Sequence, residues 1–462
     1  MRNAGLVTAA LILLTAGARA QSKTIVAQLP SAPIPALDLA PQTGGSYAAP
    51  AGSQPQTLTR VQAEQMALKN NPRVSVTALL ALAQHQVVRQ AHSADLPTVT
   101  AALTAEDSEN ASRMSAGELQ ASRLFPHAGG GVFGSQLITD FGRTHNLVLT
   151  QKLEEQATKS TALATKEEIV LAVDQAFYDA LTAQAVLQVA IQTVATRQTT
   201  ETQVDQMTQN KLRSTLDLSF ADVDLSQAKL LQLNAQDNSD ASMAILDSVL
   251  GLDHEVDYKL IEDADQPAAP ASDFNSLVQI ALQQRPDLQS LTYGAQSEQK
   301  YARAQWEQLL PNISALGTAG TVPIRVDHYY TSNWWGGIGV NMEIPVFNGF
   351  LYTAQARQAE YQARADSEME RTLRDQIVRD VRTAWLQEKT SYQRLSVTAE
   401  LLNEANLALR LSQARYRLGL SSIVELSQAQ LQQTSAAIQD TNAQYEYRLA
   451  IATVNYEIGV AP

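Results

Sequence analysis

The 462-residue chain has no cysteine. That excludes a disulfide framework, thiol chemistry, cysteine metal sites and a lipid carried on an N-terminal cysteine. A basic excess is missing too: 34 Lys and Arg stand against 47 Asp and Glu, for a net charge of −13. Nucleic acid and anionic membrane surfaces both call for a basic patch, so neither is an expected partner. Charged residues make up 18% and aromatics 6% of the chain, a composition unlike a string of compact enzyme cores. Long hydrophobic runs are also lacking. The apolar run from Leu6 to Leu14 falls short of the roughly 20 residues a spanning helix needs. With Arg2 before it and the small-x-small site Ala18-Arg19-Ala20 after it, this run predicts a signal peptide at residues 1–20, cleaved before Gln21. The mature chain is then periplasmic, secreted or inserted as a β-barrel.

Chemistry is sparse as well. Of six histidines, only His85 and His92 share a helix face, two turns apart, where a helical metal pair wants a spacing of about four. Gly129-Gly130-Gly131 and Gly336-Gly337-Ile338-Gly339 enter strands instead of opening a helix, which argues against phosphate loops. Asp253, Glu255, Asp257, Glu262, Asp263 and Asp265 crowd one segment without a convergent His, Ser or Lys, the pattern of a solvated linker. No nucleophile is paired with a base. The chain is therefore not expected to be an enzyme, and no catalytic, cofactor or metal site is predicted.

What the sequence does contain is Ala, Gln, Leu, Thr and Ser in long stretches, a mix suited to extended helices with small interfacial residues. Residues 21–56, rich in Pro, Ala, Gln, Gly and Ser, cannot bury a core and predict a disordered leader. Beyond them the chain repeats itself. Asn71-Pro72 and Leu96-Pro97 recur 214 residues later as Arg285-Pro286 and Leu310-Pro311. Thr139-Asp140-Phe141-Gly142, Asp217-Leu218 and Gly251 recur 208 residues later as Phe347-Asn348-Gly349-Phe350, Glu425-Leu426 and Gly459. The six-residue shortfall lies between Pro311 and Asn348, in the loop joining two strands. The predicted organisation is a first repeat over 57–252, an acidic linker over 253–272 and a second repeat over 273–462.

Within each repeat come two strands, expected at about 97–107 and 130–140, then at about 311–323 and 334–347. Ile338-Gly339-Val340-Asn341-Met342-Glu343-Ile344 alternates apolar and polar residues, the period of a strand with one greasy and one wet face. Thr98 to Glu106 alternates likewise. Strands of roughly nine to eleven residues match tilted bilayer-spanning strands, with Tyr329, Tyr330, Trp334 and Trp335 as an interfacial aromatic belt. Four strands cannot close a barrel, and an open sheet edge is not tolerated in lipid, so a membrane reading requires several chains in one barrel.

After the strands run two tracts with no Pro and little Gly, about 142–212 and 351–418, each predicting a helix of about 100 Å. Each is followed by a helix that must return beside it, about 217–250 and 423–458. Leu395, Leu402, Leu409 and Tyr416 keep heptad spacing, the mark of coiled-coil packing. The fold class is mainly α with membrane β-strands: two tandem repeats of long antiparallel coiled-coil helices.

From Leu58 to Gly459 these motifs resemble the TolC-like outer-membrane efflux proteins. The resemblance is carried by Asn71-Pro72, by Leu96-Pro97 and Leu310-Pro311, by Ile344-Pro345-Val346-Phe347-Asn348-Gly349, and by Arg415-Tyr416-Arg417-Leu418-Gly419-Leu420-Ser421-Ser422-Ile423-Val424-Glu425-Leu426. It implies a homotrimer whose chains each give four strands to one twelve-stranded barrel in outer-membrane lipid, with a helical tunnel crossing the periplasm. It implies a passive exit duct of a tripartite efflux or type I secretion system, docked to a periplasmic adaptor and an inner-membrane pump. By position, Glu425 and Gln428 line the periplasmic constriction. Tyr416 and Asp217 are its closing contacts, joined by a hydrogen bond, and Ser421 stands where some members carry a basic partner. Gly419, Leu420 and Ser422 form the helix tip that meets the adaptor. Lys211 stands where the first-repeat turn usually has Gly, which leaves that turn's geometry open.

Two other readings compete. A secreted or periplasmic helical scaffold or adhesin explains the heptads but not the alternating strands. An efflux adaptor would carry one helical hairpin between β-rich flanks, not two copies of a whole unit.

Overall fold

The computed structural model describes residues 56–106, 113–114, 122–123, 127–254, 256, 258–262, 269–271, 273–325 and 334–460. The signal peptide, nearly all of the leader, Tyr329 and Tyr330 lie outside the described residues. The first copy runs β1 (Gln56–Thr59), α1 (Arg60–Asn70), α2 (Pro72–His92), β2 (Thr98–Glu106), a two-residue ladder of β3 (Arg113–Met114) with β4 (Ser122–Arg123), β5 (His127–Thr139), α3 (Arg143–Gln209) and α4 (Thr215–Leu250). The second runs β6 (Tyr258–Ile261), α5 (Phe274–Gln284), α6 (Pro286–Glu307), β7 (Asn312–Arg325), β8 (Trp334–Glu343), α7 (Leu351–Arg417) and α8 (Ile423–Glu457). Helices α3 and α7 each have 67 residues, so each extends about 100 Å at 1.5 Å per residue. Both begin 208 positions apart after a pair of left-handed residues, Phe141-Gly142 and Gly349-Phe350.

The apolar core repeats with the sequence. One cluster gathers Ala63, Ala67, Val74, Ile169, Val173, Ala176, Leu246 and Leu250; the other gathers Leu277, Ala281, Leu288, Ile377, Val381, Ala384, Val454 and Ile458 at the corresponding positions. Each lies near the middle of its long helix, where α1 or α5 lays a short apolar face against the hairpin. Elsewhere the long helices meet through small and polar groups. Ser297, 1% exposed, donates its hydroxyl to the Thr150 carbonyl at 3.0 Å, and Asn146 donates to both carboxylate oxygens of Glu307 at 2.8 and 2.7 Å. Small side chains let the backbones approach closely, and the polar ones satisfy each other when buried.

Four strands form one antiparallel sheet in the order β2-β5-β7-β8, leaving β2 and β8 as edges. The register sorts side chains onto two faces. One carries Val99, Leu103, Val132, Trp334, Ile338, Val340 and Met342, every one exposed in the single chain; the other carries Thr98, Thr100, Ser135, Ser314, Thr318, Asn341 and Glu343, with Phe133 and Leu316 among them. Strand alternation dictates this separation.

Three details depart from the sequence-based expectation. Strand β8 ends at Glu343 and not near 347, because Pro345 has no N–H to continue a ladder. The segment expected as a bare acidic linker contains β6, which pairs in parallel with β1 and buries Tyr258 and Leu260 against the first core cluster. The two tryptophans do not act together as a belt, since neighbours in a strand face opposite ways. Trp334 lies on the apolar face, whereas Trp335 lies on the polar face against Gly320, where an added Cβ would stand 2.7 Å from Trp335 Cζ2.

Near the core, Arg285 is wedged between Asp287, at 2.6 Å, and Glu457, and neighbours Glu167. Burial, then the Asp287 charge, pushes the Glu167 carboxyl up to about 7, with Arg285 pulling the other way. A carboxylate raised in the folded state costs stability as pH climbs from the ordinary carboxylate range toward 7. Glu167→Gln is therefore expected to leave stability unchanged near pH 4 and to raise it near pH 8 by about 1 kcal/mol after solvent screening. Thermal melts of the detergent-solubilised protein at the two pH values check this; an equal gain at both would mean that packing, not charge, is responsible.

Candidate functional site at the hairpin tips

Both hairpins turn with the same backbone chemistry. In the second, Gly419 follows α7 at φ +77°; Leu420 N–H donates to Arg415 O at 2.8 Å and Gly419 N–H to Tyr416 O at 3.0 Å, the paired bonds of a Schellman ending. In the first, Lys211 sits at φ +60°, with Leu212 N–H on Met207 O at 2.8 Å and Lys211 N–H on Thr208 O at 2.9 Å. The absent turn glycine thus leaves the geometry intact and shifts the cost into strain, about 1 kcal/mol for a side chain held left-handed. Lys211→Gly is expected to raise thermal stability by about that much; a decrease would mean that the lysine side chain contributes more than its backbone costs.

Each returning helix opens on Ser-x-x-acid. Asp217 N–H donates to Ser214 Oγ at 3.2 Å, and Glu425 N–H to Ser422 Oγ at 3.3 Å. A carboxylate in the first turn also suits the positive end of the helix dipole. Asp217 and Glu425 therefore start helices, whatever else they do.

Tyr416 is 3% exposed, packed with Val204, Ala221, Ile423 and Leu426 into an apolar plug between the two hairpins. Its hydroxyl oxygen is buried with no hydrogen-bond partner, so the expected bond to Asp217 is not made. Burial pushes the phenol pKa up, the Arg213 charge pulls it down, and the Asp217 charge pushes it up again. The direct link is Arg213: its guanidinium donates to the Tyr416 carbonyl at 2.7 Å and lies 4.3 Å from the centre of the ring. Sequence reading overlooked this residue. The 208-residue offset would have found it, because it places Arg213 opposite Ser421, the position lacking a basic partner.

The remaining predicted residues separate into two groups. Glu425 pairs with Arg415 at 3.2 Å across the turn, both partly exposed, and Gln428 is exposed one turn along α8. Ser421 keeps its hydroxyl buried without a partner. Gly419, Leu420 and Ser422 form the open end of the second hairpin, with Leu420 66% exposed. Among the described residues, no group of three or more His, Asp or Glu could hold a metal ion, and no helix is long and apolar enough to cross a membrane.

Above the plug lies a buried polar layer that the sequence reading did not anticipate. Arg197 of α3, 7% exposed, donates to Gln430 of α8 and stands 3.5 Å from Asp224 of α4. Asp224 accepts from Ser427 at 2.6 Å, and Gln430 donates to Thr200 at 3.0 Å.

Comparison with known proteins bears on both ends of this architecture. The family described as Outer membrane efflux protein matches residues 64–252 and 277–459, one match per copy. The probable efflux pump outer membrane protein TtgC of Pseudomonas putida is 26% identical over 306 residues, which is 63% of this chain. The match spans about 60% of the length of that relative. Outer membrane protein TolC of Vibrio cholerae is 25% identical over 411 residues, 85% of this chain and 89% of that protein. Among solved structures, the outer-membrane channel OprN superposes with a TM-score of 0.77 at 17% identity, over 87% of this chain and 89% of that one. VceC of Vibrio cholerae does so with a TM-score of 0.74 at 16% identity, over 87% and 96%. These likenesses carry the fold, and the tandem family match covers most of the chain: it belongs to the outer membrane efflux protein family.

Proposed function

We propose that the chain is one subunit of a passive exit duct, three copies of which share one outer-membrane barrel and one periplasmic helical tunnel. The observation that carries this reading is the four-stranded sheet. Its strands of 9, 13, 14 and 10 residues are long enough to cross a bilayer at a tilt. One face is apolar and exposed, the other is mainly polar and small with Phe133, Leu316 and Trp335 among its residues, and both edges are open. Only closure with further copies satisfies those edges in lipid. The apolar face then meets lipid and the polar face lines water. The long hairpins extend from the barrel, and their tips, with Glu425 and Gln428, form the constricted mouth. A periplasmic adaptor on Gly419, Leu420 and Ser422, and an inner-membrane pump behind it, complete the assembly, in a tripartite efflux or type I secretion system.

Reconstitution of the purified protein into planar bilayers is expected to give cation-preferring channels, with the protein migrating as a trimer. Recovery as a soluble monomer without conductance would favour the scaffold reading instead.

A further inference from the structure

We propose that Arg197, Asp224, Ser427 and Gln430 form a second clasp between the hairpins, set above the tip, which holds the α8 helix in register with α3 and α4. The argument rests first on where the bonds run. Arg197 and Asp224 belong to the first hairpin and present one ion pair, with Arg197 buried and Asp224 half-buried, to Ser427 and Gln430, which share a face of α8. The apolar plug of Val204, Ala221, Tyr416, Ile423 and Leu426 packs on α8 without directional contacts, the Arg213 bond going to the Tyr416 carbonyl of α7. The charge-assisted bonds above it do reach α8, so the polar layer fixes its register.

Symmetry supplies the second line. The apolar clusters of the mid-hairpin recur in both copies, as folding requires. This layer does not: Ala405 occupies the place in the second copy that corresponds to Arg197, and Gln432 the place of Asp224. A group needed only to hold a long hairpin together would be expected in both. Buried ion pairs are also a poor way to add stability, since apolar residues of similar size do as well, whereas they can specify one packing over another.

The third is room to move. Beside the clasp lies a cavity of about 480 Å³ lined by Gln188, Gln192, Thr193, Gln413 and Gln433 among others. Its amides are the alternative partners of the guanidinium once the Arg197–Gln430 bond breaks. Two discrete arrangements of one polar layer are what a switching element needs.

The effect of the clasp on the mouth rests on the duct reading, but its existence is tested without it. The natural absence of cysteine gives a clean background. Thr193 and Thr434 place their hydroxyls 3.4 Å apart across the same boundary, so Thr193→Cys with Thr434→Cys reports register through disulfide formation in the full-length protein. Arg197→Met is expected to slow crosslinking several-fold and raise resting conductance about five-fold. Arg197→Lys should retain most of both wild-type values. The reciprocal pair Arg197→Asp with Asp224→Arg should recover both at least in part, which a general loss of folding would not. Unchanged crosslinking in Arg197→Met would overturn the clasp. Altered crosslinking in a protein that never conducts would keep the clasp and overturn the duct.

Discussion

Ile338→Arg is expected to remove the protein from the outer membrane fraction, while Asn341→Arg, three residues along the same strand, leaves it there. Ile338 is 96% exposed on the apolar face of the sheet, between Gly336 and Val340 in the row that also holds Trp334 and Met342. A guanidinium facing the bilayer midplane costs about 2–4 kcal/mol per strand, and three copies in one barrel multiply that cost. Asn341 lies on the opposite face, in the row of Glu343, where a charge keeps water. There the expected change is in selectivity: a new cation in the lumen weakens the preference for cations without loss of trimer. Fractionation, gel mobility without heating and reversal-potential measurements separate the two outcomes. Equal loss of both variants would mean that the sheet is packed against protein on both faces, and the duct reading would fall.

Arg213→Ala is expected to raise resting conductance several-fold, whereas Tyr416→Phe changes it by less than about two-fold. Arg213 donates to the Tyr416 carbonyl and lies over its ring, and both contacts tie the first turn to the end of α7. A charged hydrogen bond contributes about 1.5–3 kcal/mol and a cation–π contact about 0.5–2 kcal/mol, enough together to shift a closed state substantially. The Tyr416 hydroxyl has no partner, so its removal breaks nothing and relieves a buried polar atom. The aromatic ring, in contrast, is needed: Tyr416→Ala empties the plug and removes the surface on which the guanidinium rests. If Tyr416→Phe opens the channel as far as Arg213→Ala, the hydroxyl makes a bond in the assembled trimer that the single chain lacks, and Arg213 is not the principal link.

The sequence reading anticipated the architecture, but the hydrogen bond it expected between Tyr416 and Asp217 is absent from the single chain, where Arg213 makes the contact to Tyr416. Position transferred Tyr416 and Asp217 as partners, yet pairing depends on where two side chains end, and that depends on how α3, α4, α7 and α8 pack. Arg213 is the first-copy counterpart of Ser421, a relation legible in the 208-residue offset. Lys211 shows the reverse case. Its side chain left the geometry of the turn open, and the two hydrogen bonds that close the first turn as they close the second hold a left-handed backbone strongly enough to accept it. The tryptophan pair was misread for a simpler reason: adjacent strand residues never share a face.

The sequence by itself determined the two-copy plan, because the repeat lengths, the helix-breaking prolines and the period-two strands are local or periodic signals that survive without coordinates. It also determined that some further chain must complete the sheet, since four strands cannot close. Only the tertiary structure decided which residues join the hairpins. The Arg197–Asp224–Ser427–Gln430 layer and the Arg213–Tyr416 contact bring together residues up to 233 positions apart, with no periodicity to announce them. Such contacts are set by the rotation of one helix against another, a property of the packed bundle that no single segment encodes.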